Sequence, residues 1–298
     1  GTTEYEYNLY GECSAVIDPT GGKIAYNYDN AGNLTAVTDP LNYQTTFTYD
    51  LLGNKTSVTD AKDQTRTYTY SAFGMLLSSS DALGRSTTYQ YNLSGQPVSM
   101  VDRNGSITRY QYNAQDLPVD VSVQLQDEEG VAAENHIVTR YDCMGNRIQM
   151  TDESGVYTYS YDALYQLTAI QKDGATEISY TYNDDNTVQS VAYGSVMTQY
   201  SYNNRGLLSG AQNGDAGVSY EYDASGRVTQ TQYTGGVKEI YTYDKDGAVI
   251  EMAHRDSNNT AIASYTYTYD EAGRTETMTD ETGTTTYTYD LAGQLEKV

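Results

Sequence analysis

Tyr220-Glu221-Tyr222-Asp223-Ala224-Ser225-Gly226-Arg227-Val228 reads Y-x-Y-D-x-x-G-x-V, and the same phrase returns along the whole chain. Tyr26 to Leu34 is another copy, with Tyr26, Tyr28, Asp29 and Gly32 in the fixed positions. Tyr241, Tyr243, Asp244 and Gly247 mark a later one, and Tyr287, Tyr289, Asp290 and Gly293 the last. The second tyrosine falls at 14 positions, spaced by 20 or 21 residues except for steps of 29 (112 to 141) and 26 (243 to 269). A fixed period of this length is the signature of a repeat architecture, in which each unit touches mainly its neighbours. Residues 1–298 therefore read as a single array of 14 copies, and function is expected in the array rather than in one motif.

Within one copy, Ile24, Tyr26 and Tyr28 alternate with Ala25 and Asn27, which places the first three on one face of a strand. Asp29-Asn30-Ala31-Gly32 follows, the pattern of a type I turn closed by a left-handed glycine. The position after the second tyrosine is Asp eight times, Asn five times and Ser once, and the turn glycine is present in 11 of 14 copies. Asp116, Tyr165 and Asn186 replace it; Asp and Asn tolerate the left-handed region, so the Tyr165 turn is expected to be built differently. If Asp29 pairs with Asn33, Tyr28 faces Leu34 and Tyr26 faces Ala36. A second apolar position, Val37 and its equivalents, lies three residues beyond Leu34. That odd offset means either an apolar stripe on both faces or a bulge that flips the strand. Asp39-Pro40-Leu41-Asn42 opens a second turn, so each copy is strand, turn, strand, turn. The expected fold is all-β: tandem hairpins forming a long, curved or spiralling antiparallel sheet with no long helix. The two long steps are insertions at the second turn, near residues 120–136 and 252–262, read as extended hairpins on the rim.

Composition narrows the function classes. There are 33 Tyr, two Phe and no Trp, and 26 of the tyrosines sit in the repeat phrase, with Phe47 and Thr139 the two departures. Their hydroxyls need partners or water, which suits a thin, wet sheet better than a thick interior. Forty acidic against 17 basic residues give a net charge of −23, which argues against nucleic acid as a partner. No run of 18 apolar residues suggests a membrane span. Cys13 and Cys143 fit no metal or redox spacing. The chain opens and closes inside a repeat without a capping element, the pattern expected of a piece of a longer array.

Candidate chemistry is sparse. His136 and His254 fall in or beside the insertions without companion ligands and read as exposed loop residues. Asp244-Lys245-Asp246-Gly247 and Asp184-Asp185-Asn186 resemble the start of a calcium loop, but both coincide with the repeat's own turn and lack the distal Glu. No nucleophile context, metal site or cofactor site is expected, and the chain reads as a non-enzyme.

The phrase Y-x-Y-D-x-x-G-x-L followed by an Asp-led turn resembles the YD repeat of Rhs (rearrangement hotspot) proteins. Toxin-complex shell proteins, wall-associated contact-dependent toxins and teneurins share it. The resemblance covers essentially the whole chain. It implies a spiral sheet of hairpins around a hollow interior that, in bacterial members, holds a toxic C-terminal domain. It further implies a secreted or cell-surface protein whose partners are a polypeptide cargo and neighbouring repeats of the same shell. The alternative is an adhesin that recognises glycan or protein through its tyrosine-rich sheet or rim loops. The Asp-Pro pairs at Asp18-Pro19 and Asp39-Pro40 lie in ordinary repeat turns, so the cleavage role of the family's later segment does not transfer to them.

Overall fold

An alternating strand such as Lys23–Tyr28, followed by Asp and a left-handed glycine, has to reverse on itself, and the chain does so throughout. The computed structural model describes residues 1–126 and 132–298. Those residues contain strands and turns and no helix. They form two compact units, Gly1–Tyr157 and Thr158–Val298. In the first, every strand from Glu4–Tyr7 to Arg147–Asp152 pairs antiparallel with the next. In the second, the same meander runs from Leu167–Lys172 to Gly283–Thr286. A short pair, Thr288–Tyr289 with Leu295–Lys297, follows. The all-β array of tandem hairpins expected from the repeat is the fold of each unit.

The register settles the odd offset. Tyr28 lies opposite Leu34 as expected, but Tyr26 lies opposite Val37 rather than Ala36, which pairs with Asn27. A bulge between Asn27 and Tyr28 causes this: Thr35 is the extra residue, and past it the alternation is shifted by one. Leu34 and Val37 therefore share the tyrosine face, and the open choice between two apolar faces and a bulge resolves to the bulge. The same shift recurs at, among others, Tyr49, Tyr70, Tyr182, Tyr222 and Tyr243. It also accommodates Pro97 and Pro118, which sit at the bulge, a strand position where proline is tolerated.

Among the described residues neither unit has a filled core. Among the described residues the buried apolar side chains are Ala15, Ala36 and Ala253, and no large side chain is fully buried. Half-buried tyrosines and aliphatics line one face. On the other, hydroxyls meet across the strands, as in Thr48 with Ser57 (2.6 Å) and Thr268 with Thr277 (2.7 Å).

At the second insertion, Val249–Arg255 and Ala261–Tyr269 form a longer hairpin whose tip is the Asp256–Asn259 turn. The first lies between the nine-residue strand Pro118–Gln126 and the ten-residue strand Ala132–Tyr141. Its tip, Asp127-Glu128-Glu129-Gly130, is outside the described residues.

Candidate functional site

The repeat motif itself is the most organised chemical feature of the molecule. The bulge brings a backbone carbonyl within reach of the next copy's second tyrosine. Tyr49 Oη donates to the carbonyl of Leu34 at 2.8 Å, and Leu34 is the residue opposite Tyr28. Tyr28 reaches Cys13 (2.9 Å), Tyr222 reaches Leu208 (2.6 Å), Tyr243 reaches Val228 (2.7 Å) and Tyr289 reaches Thr275 (2.8 Å). Each of these acceptors lies opposite the second tyrosine of the preceding copy. In these copies the second-tyrosine hydroxyl is thus bonded to backbone, repeat to repeat. Burial pushes the Tyr28 phenol above its ordinary pKa.

The first tyrosine, where the phrase has one, faces a residue of the partner strand instead. Tyr26 sits opposite Val37, Tyr220 opposite Thr231 and Tyr241 opposite Met252. Tyr287 interrupts its strand, but its N–H still donates to the Glu276 carbonyl at 2.8 Å.

In the turn, one carboxylate oxygen does most of the holding. Asp29 Oδ1 accepts the N–H groups of Ala31 and Asn33, both at 2.9 Å. Asp223 does the same with Ser225 and Arg227, Asp244 with Asp246 and Ala248, and Asp290 with Ala292 and Gln294. Gly32, Gly226, Gly247 and Gly293 occupy the left-handed region at φ 84°, 85°, 97° and 78°. Tyr165 departs from expectation: its turn has the ordinary hydrogen bonds, and Tyr165 itself takes φ 61°. Asp162 Oδ1 holds Leu164 N–H and Gln166 N–H, which overrides the tyrosine's steric preference.

Sequence reasoning missed the residue after the glycine. Its side chain returns to the second oxygen of the same Asp: Asn33 to Asp29 (3.0 Å), Arg227 to Asp223 (2.7 Å) and Arg274 to Asp270 (2.7 Å). The two arginines also lie over the ring of the following copy's second tyrosine, Arg227 at 4.5 Å from Tyr243 and Arg274 at 4.7 Å from Tyr289. The recurrence of Asn and Arg after Gly was the available signal. These bonds hold the carboxyls below the usual range: the Asn33 side chain is the main cause at Asp29, and the Arg227 N–H at Asp223.

The histidines are strand residues, not loop residues. His136 lies on Ala132–Tyr141, 3.2 Å from Asp120 and 3.5 Å from Glu134. His254 lies opposite Glu239, with Nδ1 3.8 Å from its carboxylate and its ring edge-on to Tyr265. Tyr241 Oη donates to the other oxygen of Glu239 at 2.9 Å, and burial together with that bond pushes its pKa up to about 12. A proton held that firmly favours a structural hydrogen bond over acid–base work. No group of three or more His, Cys, Asp or Glu side chains suited to a metal occurs among the described residues.

The RHS repeat family model matches residues 28–65, 53–86, 70–107 and 91–132, and the teneurin YD-shell model matches 212–298. The chain belongs to the Rhs/YD-repeat family. The fold of this YD-repeat chain is also that of a crystal structure of TcdB2-TccC3 without its hypervariable C-terminal region. The TM-score is 0.82 at 20% identity, over 99% of this chain and 18% of that one. TcdB2-TccC3-TEV (0.80, 21% identity, 98% and 18%) and TcdB2-TccC3-Cdc42 (0.80, 20% identity, 97% and 18%) are equally similar in fold. The YD-repeat chain thus spans about a fifth of the length of those chains. No curated protein sequence matches it.

Proposed function

We infer that the chain is a structural wall segment of an Rhs-type shell, one array of 14 repeats with rim insertions, that encloses or presents a polypeptide. The observation that carries this reading is that the repeat hydrogen-bonds to itself. The fixed Tyr, Asp and Gly positions are spent on joining copies and closing turns, which is what a wall requires and a catalytic site does not. Support comes from the two family models and from the fold shared with TcdB2-TccC3, one structure of which is named for the absence of a hypervariable C-terminal region. On this reading the protein is secreted or displayed at the cell surface, uses no cofactor, catalyses nothing and has as partners its own neighbouring repeats and a polypeptide cargo.

Protease protection in the parent protein tests it. A polypeptide encoded in continuity with the repeats should survive a protease that digests the same polypeptide when free. Equal digestion rates in the two settings would remove the shell reading.

A further inference from the structure

The tips of the Y-x-Y-D turns lie on one rim of the meander, and in the first unit several carry large apolar side chains that touch almost nothing. Leu9, Tyr10, Leu51, Leu52, Phe73 and Leu93 have relative exposures between 71% and 108%. All six sit in the two central positions of turns closed by the bonds of Gly11 to Asn8, Gly53 to Asp50, Gly74 to Ser71 and Gly95 to Asn92. The turn backbone is pinned, so these side chains cannot fold back onto the sheet.

In the second unit the same positions are mixed: Asp184-Asp185, Asn204-Arg205 and Lys245-Asp246 are exposed polar pairs, while Leu164 and Leu291 are exposed single leucines at other turns. The turn therefore does not demand apolar tips, and the first unit gathers six large ones on one rim where the second has two. Four of the five turns from Leu9 to Leu93 carry these side chains, interrupted by Asn30-Ala31, and clustered exposed apolar surface marks an interaction site.

We propose that this rim is a self-association surface, and that its partner is the same rim of a second copy, related by a two-fold axis at the Leu51-Leu52 turn. Two features select a second copy. The first is symmetry. The five successive turns run Leu9-Tyr10, Asn30-Ala31, Leu51-Leu52, Ala72-Phe73 and Leu93-Ser94. An antiparallel copy turned about the third sets Leu9-Tyr10 against Leu93, and Phe73 against the small Ala31. A two-fold interface requires this self-complementarity. The second feature is area. Tyr10 and Phe73 can bury about 150–250 Å² each and the four leucines add smaller areas, so the six side chains together approach the roughly 800 Å² per partner of a standard interface. Beyond the fifth turn, Ala114-Gln115 ends the row before Met144.

The test uses the 298-residue chain in sedimentation and light scattering from about 1 to 100 µM. The expected result is a concentration-dependent dimer that becomes monomeric in a Leu51→Lys, Leu52→Asp, Phe73→Asn variant. The first two changes copy the Lys245-Asp246 turn, so the variant retains a known hairpin chemistry. With Cys13 and Cys143 replaced by Ser, Leu52→Cys should cross-link to its own counterpart across the axis. Leu93→Cys should cross-link to Tyr10→Cys and not to itself. A monomer at every concentration overturns the proposal. So does a dimer that survives the rim variant but is dissolved by Tyr5→Pro in the strand Glu4–Tyr7. A parent-length chain that is monomeric yet shields Leu51 and Leu52 from labelling also overturns it, because another part of that chain would then cover the rim.

Discussion

A turn that must reverse a strand in four residues places opposite demands on its first and last positions. Asp223 is needed for an oxygen that collects two N–H groups, and Gly226 for a backbone angle that side chains resist. Asn supplies the same oxygen at Asn92, Asn113 and Asn203. Asp223→Asn should therefore lower the melting temperature less than Gly226→Val. The latter forces a β-branched residue into the left-handed region at roughly 1–2 kcal/mol. Equal losses in paired thermal melts would contradict this division of roles. Tyr165 reverses the argument. It already bears a left-handed backbone without being Gly, Asn or Asp, and its side chain is more than half exposed. Tyr165→Gly should stabilise the second unit by about 1 kcal/mol, read as a raised urea midpoint. The strand and turn were legible here because Asp and Gly each have one cheap use. Tyr165 was misjudged because propensity ignores what a neighbouring carboxylate can enforce.

At the scale of the hairpin, the bulge and the tyrosine hydroxyl form one device. Tyr222→Phe removes the bond to the Leu208 carbonyl and little else, and should cost about 1 kcal/mol in urea unfolding. Acid should act on the turns together. Asp29, Asp50, Asp142, Asp223, Asp244 and Asp270 all have depressed pKa values in the folded state. A group depressed on folding contributes its stability above the unfolded pKa, near 3.9, and loses it as pH falls through the folded value. Melting temperature should thus hold between pH 7 and about 5 and fall below about pH 4. A melting temperature that is unchanged at pH 3 would show that the turn carboxylates contribute little. The alternation of Lys23–Tyr28 revealed the strand, but the odd spacing between Leu34 and Val37 left two geometries open. Only the register decides between them, because a one-residue slip is invisible to periodicity on a single strand.

Across the whole molecule, the two units should give a far-ultraviolet dichroism spectrum dominated by strand, without the double minimum of helix, since the described residues contain none. The repeat made the family and fold readable from the chain. The exposed leucines of the rim were not readable in the same way, because Leu51 and Leu52 in isolation resemble any apolar pair, and only the pinned turn shows that they have nowhere to hide. The hydroxyl bonds carry one further implication. In each the donor is the later copy and the acceptor the earlier, so the linkage has a direction along the chain. Trimming copies from the C-terminal side leaves every remaining phenol with its carbonyl. Trimming the first copy, with Cys13, leaves the phenol of Tyr28 without its acceptor. A nested set of truncations should therefore lose stability unequally from the two ends, and the array has a grammatical order in which each word is completed by the one before it.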